Sequence, residues 1–338
     1  MTARAEGNPA ARRSIRRWLV TACVLALLLA LPLATNDYTQ YVANLVVVDV
    51  LVAVGFNIVI GYLGQIAFAN AALFGLGAYC TGILLVRSGL PYPAALAASG
   101  LLGAFAGTIV ALPARRGIRF FYLGILTMAI GELLRWSYIH ADRLTGGSTG
   151  LEVPVPTLAG MPLQSQASLY YVFLAICILL LLGTRNLLRS RIGRAIIATR
   201  ENELATAALG IPTAWYFVLA FAWSGLIVGI AGGMFAVLIG RVIPESFNLV
   251  QLVQHFAFVI VGGVGSLMGS ILGAVLLTIQ PELFRGFPGM EEIFSGLVIV
   301  FVLVFLPGGL AGLATRLVPG LAERYYRGPR TAAARDEG

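Results

Sequence analysis

Read from its amino terminus, the chain alternates long unbroken apolar runs with short polar breaks. The runs lie at 18–34, 41–61, 66–86, 91–112, 120–138, 168–184, 214–239, 251–265, 267–283 and 292–310. Roughly 20 apolar residues in a helix cross a bilayer, whereas a membrane β-barrel shows short alternating segments. The pattern therefore predicts an all-α polytopic bundle of about ten transmembrane helices. The pair within 251–283 is short for two crossings. The glycines of V-G-G-V-G-S (Val261 to Ser266) equally suit a re-entrant hairpin buried in protein.

The longest polar interruption after the midpoint is Arg185 to Pro212. It carries Arg185, Arg189, Arg191, Arg194 and Arg200. A short helix is expected within it, with Glu201 and Glu203 in its first turn and Gly210 and Pro212 closing it, an order of signals that marks helix ends.

Composition agrees with a membrane protein. Only 11% of the 338 residues are charged and 59% are hydrophobic, with a mean hydropathy of +0.89; a soluble domain has roughly 25% charged residues. The net charge of +8 resides largely in arginines between the apolar runs. That distribution fits the positive-inside rule better than nucleic-acid binding. The basic tail 1–17, the turn with Arg115, Arg116 and Arg119, the 185–213 loop and the tail 314–338 then share the cytoplasmic side. Both termini are expected there, with 18–313 as one transmembrane domain and 139–167 as a periplasmic loop. Arg143 and Arg241 are single exceptions. The run at 18–34 reads as a retained helix rather than a cleaved signal, being long for a signal core and followed by no A-x-A site.

Candidate chemistry is sparse. Cys23, Cys80 and Cys177 are isolated in apolar runs and far from His140 and His255, so no metal site or disulfide framework is indicated. No G-x-x-x-x-G-K-[ST], H-E-x-x-H or G-x-S-x-G motif occurs. The chain reads as a non-enzyme without a cofactor, and energy for uphill work would come from another subunit or an ion. Polar groups in the apolar runs are the pathway candidates: Asp49 (the one clearly mid-span acid), Asn57, Gln65, Asn70, Thr127 and Glu132, the last near the outer end of its helix. Asp49 reads equally as a hydrogen-bonded packing residue, and Glu132 can pair with Arg135 at i, i+3. An ion-coupled carrier or channel built on Asp49 is the alternative function. Ile60 to Gln65 and Val261 to Ser266 form a faint glycine-rich echo.

Several stretches resemble the permease subunits of ABC importers for branched-chain amino acids and their urea- and amide-importing relatives. They are G-Y-L-G-Q-I-A-F (61–68), G-L-G-A-Y (75–79), L-T-M-A-I-G-E-L-L-R (126–135), L-T-G-G-S-T-G-L (144–151), G-R-A-I-I-A-T-R-E-N-E-L-A-T-A-A-L-G-I (193–211), P-E-S-F (244–247), V-G-G-V-G-S-L-M-G-S-I-L-G-A (261–274), P-E-L (281–283) and L-P-G-G-L-A-G-L (306–313). The resemblance implies half of a two-permease pore in the bacterial inner membrane. Its partners would be a second, homologous permease chain, two cytoplasmic ATPase subunits and an extracytoplasmic substrate-binding protein. Arg200 to Leu209 looks like the coupling helix that seats in the ATPase, with Arg200, Glu201, Glu203, Ala205 and Gly210 as the implied contact positions. The spacing from Glu203 to Gly210 is one longer than the general importer motif, and Leu204 and Thr206 interrupt its alanines.

Overall fold

The computed structural model describes residues 25–158, 160–284, 291–306 and 308–317. The tail 1–17, the start of the run at 18–34, Cys23 and the end of the chain beyond 317 lie outside the described residues.

A helix stands at each predicted run: α1 (Leu25–Ala34), α2 (Asp37–Asn57), α3 (Asn70–Ser88), α4 (Tyr92–Ala111), α5 (Phe120–His140), then a short α6 (Asp142–Thr145) and α7 (Gln166–Arg189). The polar segment forms α8 (Arg191–Glu201) and α9 (Glu203–Ala208). After it come α10 (Thr213–Ile239), α11 (Leu249–Gly262), α12 (Leu267–Leu283), α13 (Glu291–Phe305) and α14 (Gly309–Leu317). Among the described residues, five stretches are long and apolar enough to cross a membrane: Asp37–Tyr62, Asn70–Ser88, Tyr92–Arg116, Gln166–Arg189 and Thr213–Ile239. The described sheets are only two pairings of two residues each. The chain is thus a polytopic helical membrane protein.

The centre of the bundle is α10, apolar all round and packed on α2, α3 and α4. Glycines permit the contact, because small residues let helix backbones approach closely in lipid. A methyl group at Gly77 would sit 2.0 Å from the Gly229 carbonyl oxygen, and one at Gly103 would sit 2.1 Å from that of Gly225. At these crossings backbone meets backbone.

The two polar ends of the bundle differ. At one end Leu151–Glu152 pairs antiparallel with Arg241–Val242, and the Arg241 guanidinium donates to the Thr149 carbonyl. The helix starts at Asp37 and Gln166 share that end, tied by Asn44 donating to the Gln166 carbonyl. At the other end the turn 112–119, the glycine-rich turns 61–65 and 263–266 and the α8–α9 arm meet. The arginine clusters of the described residues therefore gather at one end, called the basic end below.

Two expectations need correction. The polar segment is not a loop from Arg185: α7 continues through Arg185 and Arg189, whose charges suit a helix's last turns. Nor do Glu201 and Glu203 share one first turn. Asn202 is extended (φ −158°, ψ 104°), so Glu201 closes α8 and Glu203 opens α9. At 251–283, α11 and α12 form a helical hairpin whose 14 and 17 residues rise about 21 and 26 Å. Gly263 (φ 123°) and Gly265 (φ 80°) make the turn, conformations that side-chain-bearing residues rarely adopt.

Candidate functional site

The site at the basic end is built outward from α8. Ser190 caps that helix, its hydroxyl accepting from the backbone N–H groups of Ile192 and Gly193. Ala195, Ile196 and Thr199 bury one face of α8, which packs on α7 and α10. The carboxamide oxygen of Asn202 accepts from the Ala205 N–H and restarts the chain as α9. Gly210, with a φ of +80°, ends it before Pro212 and Thr213 lead into α10. Each of these residue types suits its local conformation, so the arm's course is written in its own sequence.

Long-range contacts then fix the arm against the bundle. The Glu203 carboxylate accepts from Arg119 at 2.6 and 2.9 Å, and from the Thr213 hydroxyl at 3.2 Å. Arg119 also lies 4.1 Å over the Phe217 ring and donates to the Ala114 carbonyl. A fork of guanidinium donors on a carboxylate is a directional contact, stronger than a simple charge pair. Glu203 thus joins α9 to the α4–α5 turn and the start of α10. The Arg200 guanidinium turns inward as well and donates to the Gly61 carbonyl.

Gly61 belongs to a π-helical turn, Ile58–Tyr62, that ends α2. Asn57, one turn earlier, donates to the Ser266 carbonyl (2.9 Å) and the Ser270 hydroxyl (2.6 Å). Its oxygen accepts from the Gly265 N–H at 2.9 Å. The two glycine-rich stretches that echo each other in sequence therefore lie against each other in space, and Arg200 reaches their junction. Gln65 accepts from the N–H of Phe120, a residue held at a φ of +47°. Such a conformation is uncommon for a bulky side chain, and strain of this kind concentrates at functional sites.

The hydrogen bonds from Arg119, with its charge and the Thr213 hydroxyl adding to them, hold the Glu203 carboxyl below the ordinary carboxylate range, against the opposing effect of partial burial. A lowered native value stabilises the attachment above the ordinary glutamate pKa of about 4.3 and loses that stabilisation as pH falls through the native value. Hydrogen exchange in α9 is accordingly expected to vary little, once corrected for intrinsic rates, between about pH 5 and 8 and to rise on further acidification. In Glu203→Gln the exchange should be fast throughout; equal acid sensitivity in that variant would contradict the assignment.

The remaining predicted pathway groups do not converge on one cavity within the chain. Asp49 is buried on α2 and accepts from the Thr278 hydroxyl at 2.8 Å. Asn70 lies 3.1 Å from Nδ1 of buried His255, whose Nε2 is 3.1 Å from Gln251. Asn70 also borders a small apolar pocket lined by Phe56, Val59, Leu73 and Phe221. Thr127 accepts from the Phe68 N–H and donates to the Gly124 carbonyl. Glu132 pairs with Arg135 at 3.0 Å on an exposed face. Among the described residues no group of three histidine, cysteine or acidic side chains could hold a metal ion.

Of the predicted contact positions in the arm, Arg200, Glu201, Ala205 and Gly210 are exposed and Glu203 is half-buried, and Arg200 and Glu203 hydrogen-bond to the bundle. The most exposed apolar side chains there are Leu204 (84%) and Leu209 (80%). In the sequence Leu204 stands out only as an interruption of an alanine pattern. Two leucines in a polar segment were the available signal.

Residues 38–306, from α2 through α13, match the family described as the permease component of the branched-chain amino acid transport system. The chain belongs to this family. It is 30% identical over 321 residues to LivM, the high-affinity branched-chain amino acid transport system permease protein of Escherichia coli (strain K12), covering 88% of this chain and 75% of that protein. LivH, a second permease protein so named in the same strain, is 24% identical over 290 residues, or 78% of this chain and 90% of its own. The autoinducer 2 import system permease LsrC of Enterobacter sp. (strain 638) is 31% identical over 259 residues, covering 72% and 71%. No solved structure matches. The permease family members' shared region includes both glycine-rich turns and the whole α8–α9 arm.

Proposed function

We propose that this chain is the transmembrane permease subunit of an ATP-driven importer of the ABC class. It forms half of a translocation pathway for branched-chain amino acids or related small polar solutes in a bacterial inner membrane. Separate ATPase subunits supply the energy, a second permease chain completes the pathway and an extracytoplasmic binding protein delivers the cargo. Family membership favours this reading over a self-sufficient ion-coupled carrier. A relative named for autoinducer 2 import shows that the cargo of similar permeases extends beyond amino acids.

The observation that carries the mechanism is the α8–α9 arm. Its charged groups Arg200 and Glu203 face the bundle, while Leu204 and Leu209 face outward on a membrane protein's polar end. Exposed leucines in such a position serve an interface. The arm therefore presents an apolar contact to the ATPase, and its inward contacts pass movement to the turns at Gly61 and Arg119. Both chain ends and the arm belong on the cytoplasmic side in this reading.

A photo-crosslinking amino acid at position 204 or 209, in membranes containing the whole transporter, is expected to label the ATPase subunit. Labelling should change when ATP is added. Absence of any ATPase adduct at both positions, with the complex intact, would overturn the assignment.

A further inference from the structure

The end of α2 at the basic side is wound wide. The Leu63 N–H donates to the Ile58 carbonyl and the Gln65 N–H to the Val59 carbonyl, each at 3.0 Å. These bonds reach back five and six residues, where an α-helix reaches back four. An α-helical course would send the Gln65 N–H to the Gly61 carbonyl instead. The wide turn leaves that oxygen to the Arg200 guanidinium, which comes from the last turn of α8, 139 residues away. Carbonyls at a helix end need a partner of this kind, because the helix itself no longer supplies one.

The glycines around this contact are moulded to two side chains. A Cβ on Gly61 would run into the Asn57 carboxamide and stand 2.5 Å from the Gly265 nitrogen. One on Gly64 would stand 2.8 Å from Cγ of Arg200, and one on Gly265 would stand 2.7 Å from its guanidinium. Gly64 and Gly265 have positive φ as a further reason to be glycine; Gly61 does not, so space alone calls for it. Asn57 from α2 and Arg200 from α8 thus meet at one junction. Asn57 is buried there, whereas Arg200 is exposed. Among the described residues Arg200 forms no ion pair, so its departure strands no partner charge.

We infer that Arg200 is a positioning residue, a latch that holds the end of α2 in its wide turn until the arm moves. The latch rests on the function proposed above, in which the ATPase moves the arm. When Arg200 withdraws, the Gly61 carbonyl loses its donor and regains one if the turn rewinds and takes the Gln65 N–H. Each residue of an α-helix turns by about 100°, so removing one residue from the winding swings Asn57 by that angle. Its bonds to Gly265, Ser266 and Ser270 then break, and the junction of 61–65 with 263–266 parts. Wide turns of this sort within α-helices are frequent at functional sites.

Hydrogen exchange in the complete transporter, reconstituted in nanodiscs with and without a non-hydrolysable ATP analogue, tests this. In the parent, peptides covering 58–66 and 263–270 are expected to exchange faster once the nucleotide is bound. Arg200→Ala should raise their exchange about tenfold without nucleotide, as loss of a hydrogen bond to a charged group typically does, and the nucleotide should then add little. Arg200→Lys keeps a donor and should lie between the two. Peptides in α3 and α4 should match the parent in both variants. Indifference of both turns to these substitutions would overturn the latch, as would an equal nucleotide effect in the parent and Arg200→Ala. Either result, in a transporter that still contains the ATPase and imports cargo, leaves the functional reading standing. Loosening of α3 and α4 as well would also overturn the latch, by marking Arg200 as a general packing residue. Purification of the chain without any ATPase would instead sink the functional reading itself.

Discussion

Replacing Glu203 with lysine is expected to leave the protein in the membrane and to reduce ATP-driven uptake by about tenfold or more. The substitution removes the carboxylate that Arg119 and Thr213 hold and sets a second cation beside the Arg119 guanidinium. A partly exposed pair is worth about 1 kcal/mol, and like-charge repulsion adds to its loss. A change of roughly 1.4 kcal/mol in the population of the seated arm is a factor of ten. Arg119→Glu alone should do the same. Combined with Glu203→Arg it should recover part of the uptake, limited by loss of the contact between Arg119 and Phe217. Normal uptake by Glu203→Lys at normal abundance would remove the arm from the coupling path. Direct contact of Glu203 with the ATPase, by contrast, predicts no recovery in the charge-swapped pair.

A larger structural effect is expected from Gly103→Leu. The backbones of α4 and α10 meet at this point from both sides, since a Cβ on Gly103 would lie 2.1 Å from the Gly225 carbonyl oxygen and one on Gly225 would lie 2.2 Å from that of Gly103. Ordinary overpacking costs about 1–3 kcal/mol because neighbouring side chains can shift. Here the obstacle is helix backbone, so the two helices must separate along their length and the cost exceeds that range. Membrane abundance should collapse, and any detergent-extracted protein should aggregate at lower temperature than the parent. Gly296→Leu on α13 is the matched control, because a side chain there meets nothing within 4 Å. Equal abundance of the two variants would show that the contact at Gly103 is not what holds α4 on α10.

Much of this architecture could be read from the apolar runs, because a span announces itself by length and hydropathy alone. The clustering of Arg115, Arg119 and the 185–200 arginines at one end was legible for a like reason, since basic residues concentrate on one membrane side. What the local pattern could not show was direction. Arg200 and Glu203 looked like outward contacts, yet their partners Gly61 and Arg119 lie 139 and 84 residues away in the chain. The break at Asn202 was obscured because asparagine can sit in a helix or cap one, and only its extended backbone decides.

The polar residues of the spans show a related limit. Asn57 was recognisable as an amide in an apolar run, and its depth suggested a pathway. Its three hydrogen bonds to the 265–270 segment bind two glycine-rich turns together. The six-residue echo between those turns was too short to weigh on sequence grounds, and spatial adjacency gives it meaning. On α5 the pairing of Glu132 with Arg135 was visible from spacing. Its exposure depends on which face α3 covers, and that required the fold.

Energy is expected to reach this permease through a separate ATPase seated on the α8–α9 arm. Uptake of radiolabelled leucine into liposomes, with the binding protein present, tests it most directly when three preparations are compared. They are the isolated chain, the complete transporter, and the complete transporter with aspartate at positions 204 and 209. ATP-dependent accumulation of leucine is expected from the complete transporter. No accumulation is expected from the isolated chain, and the doubly substituted transporter should lose both uptake and its ATPase. Accumulation driven by a proton or sodium gradient in liposomes holding the isolated chain alone would contradict it.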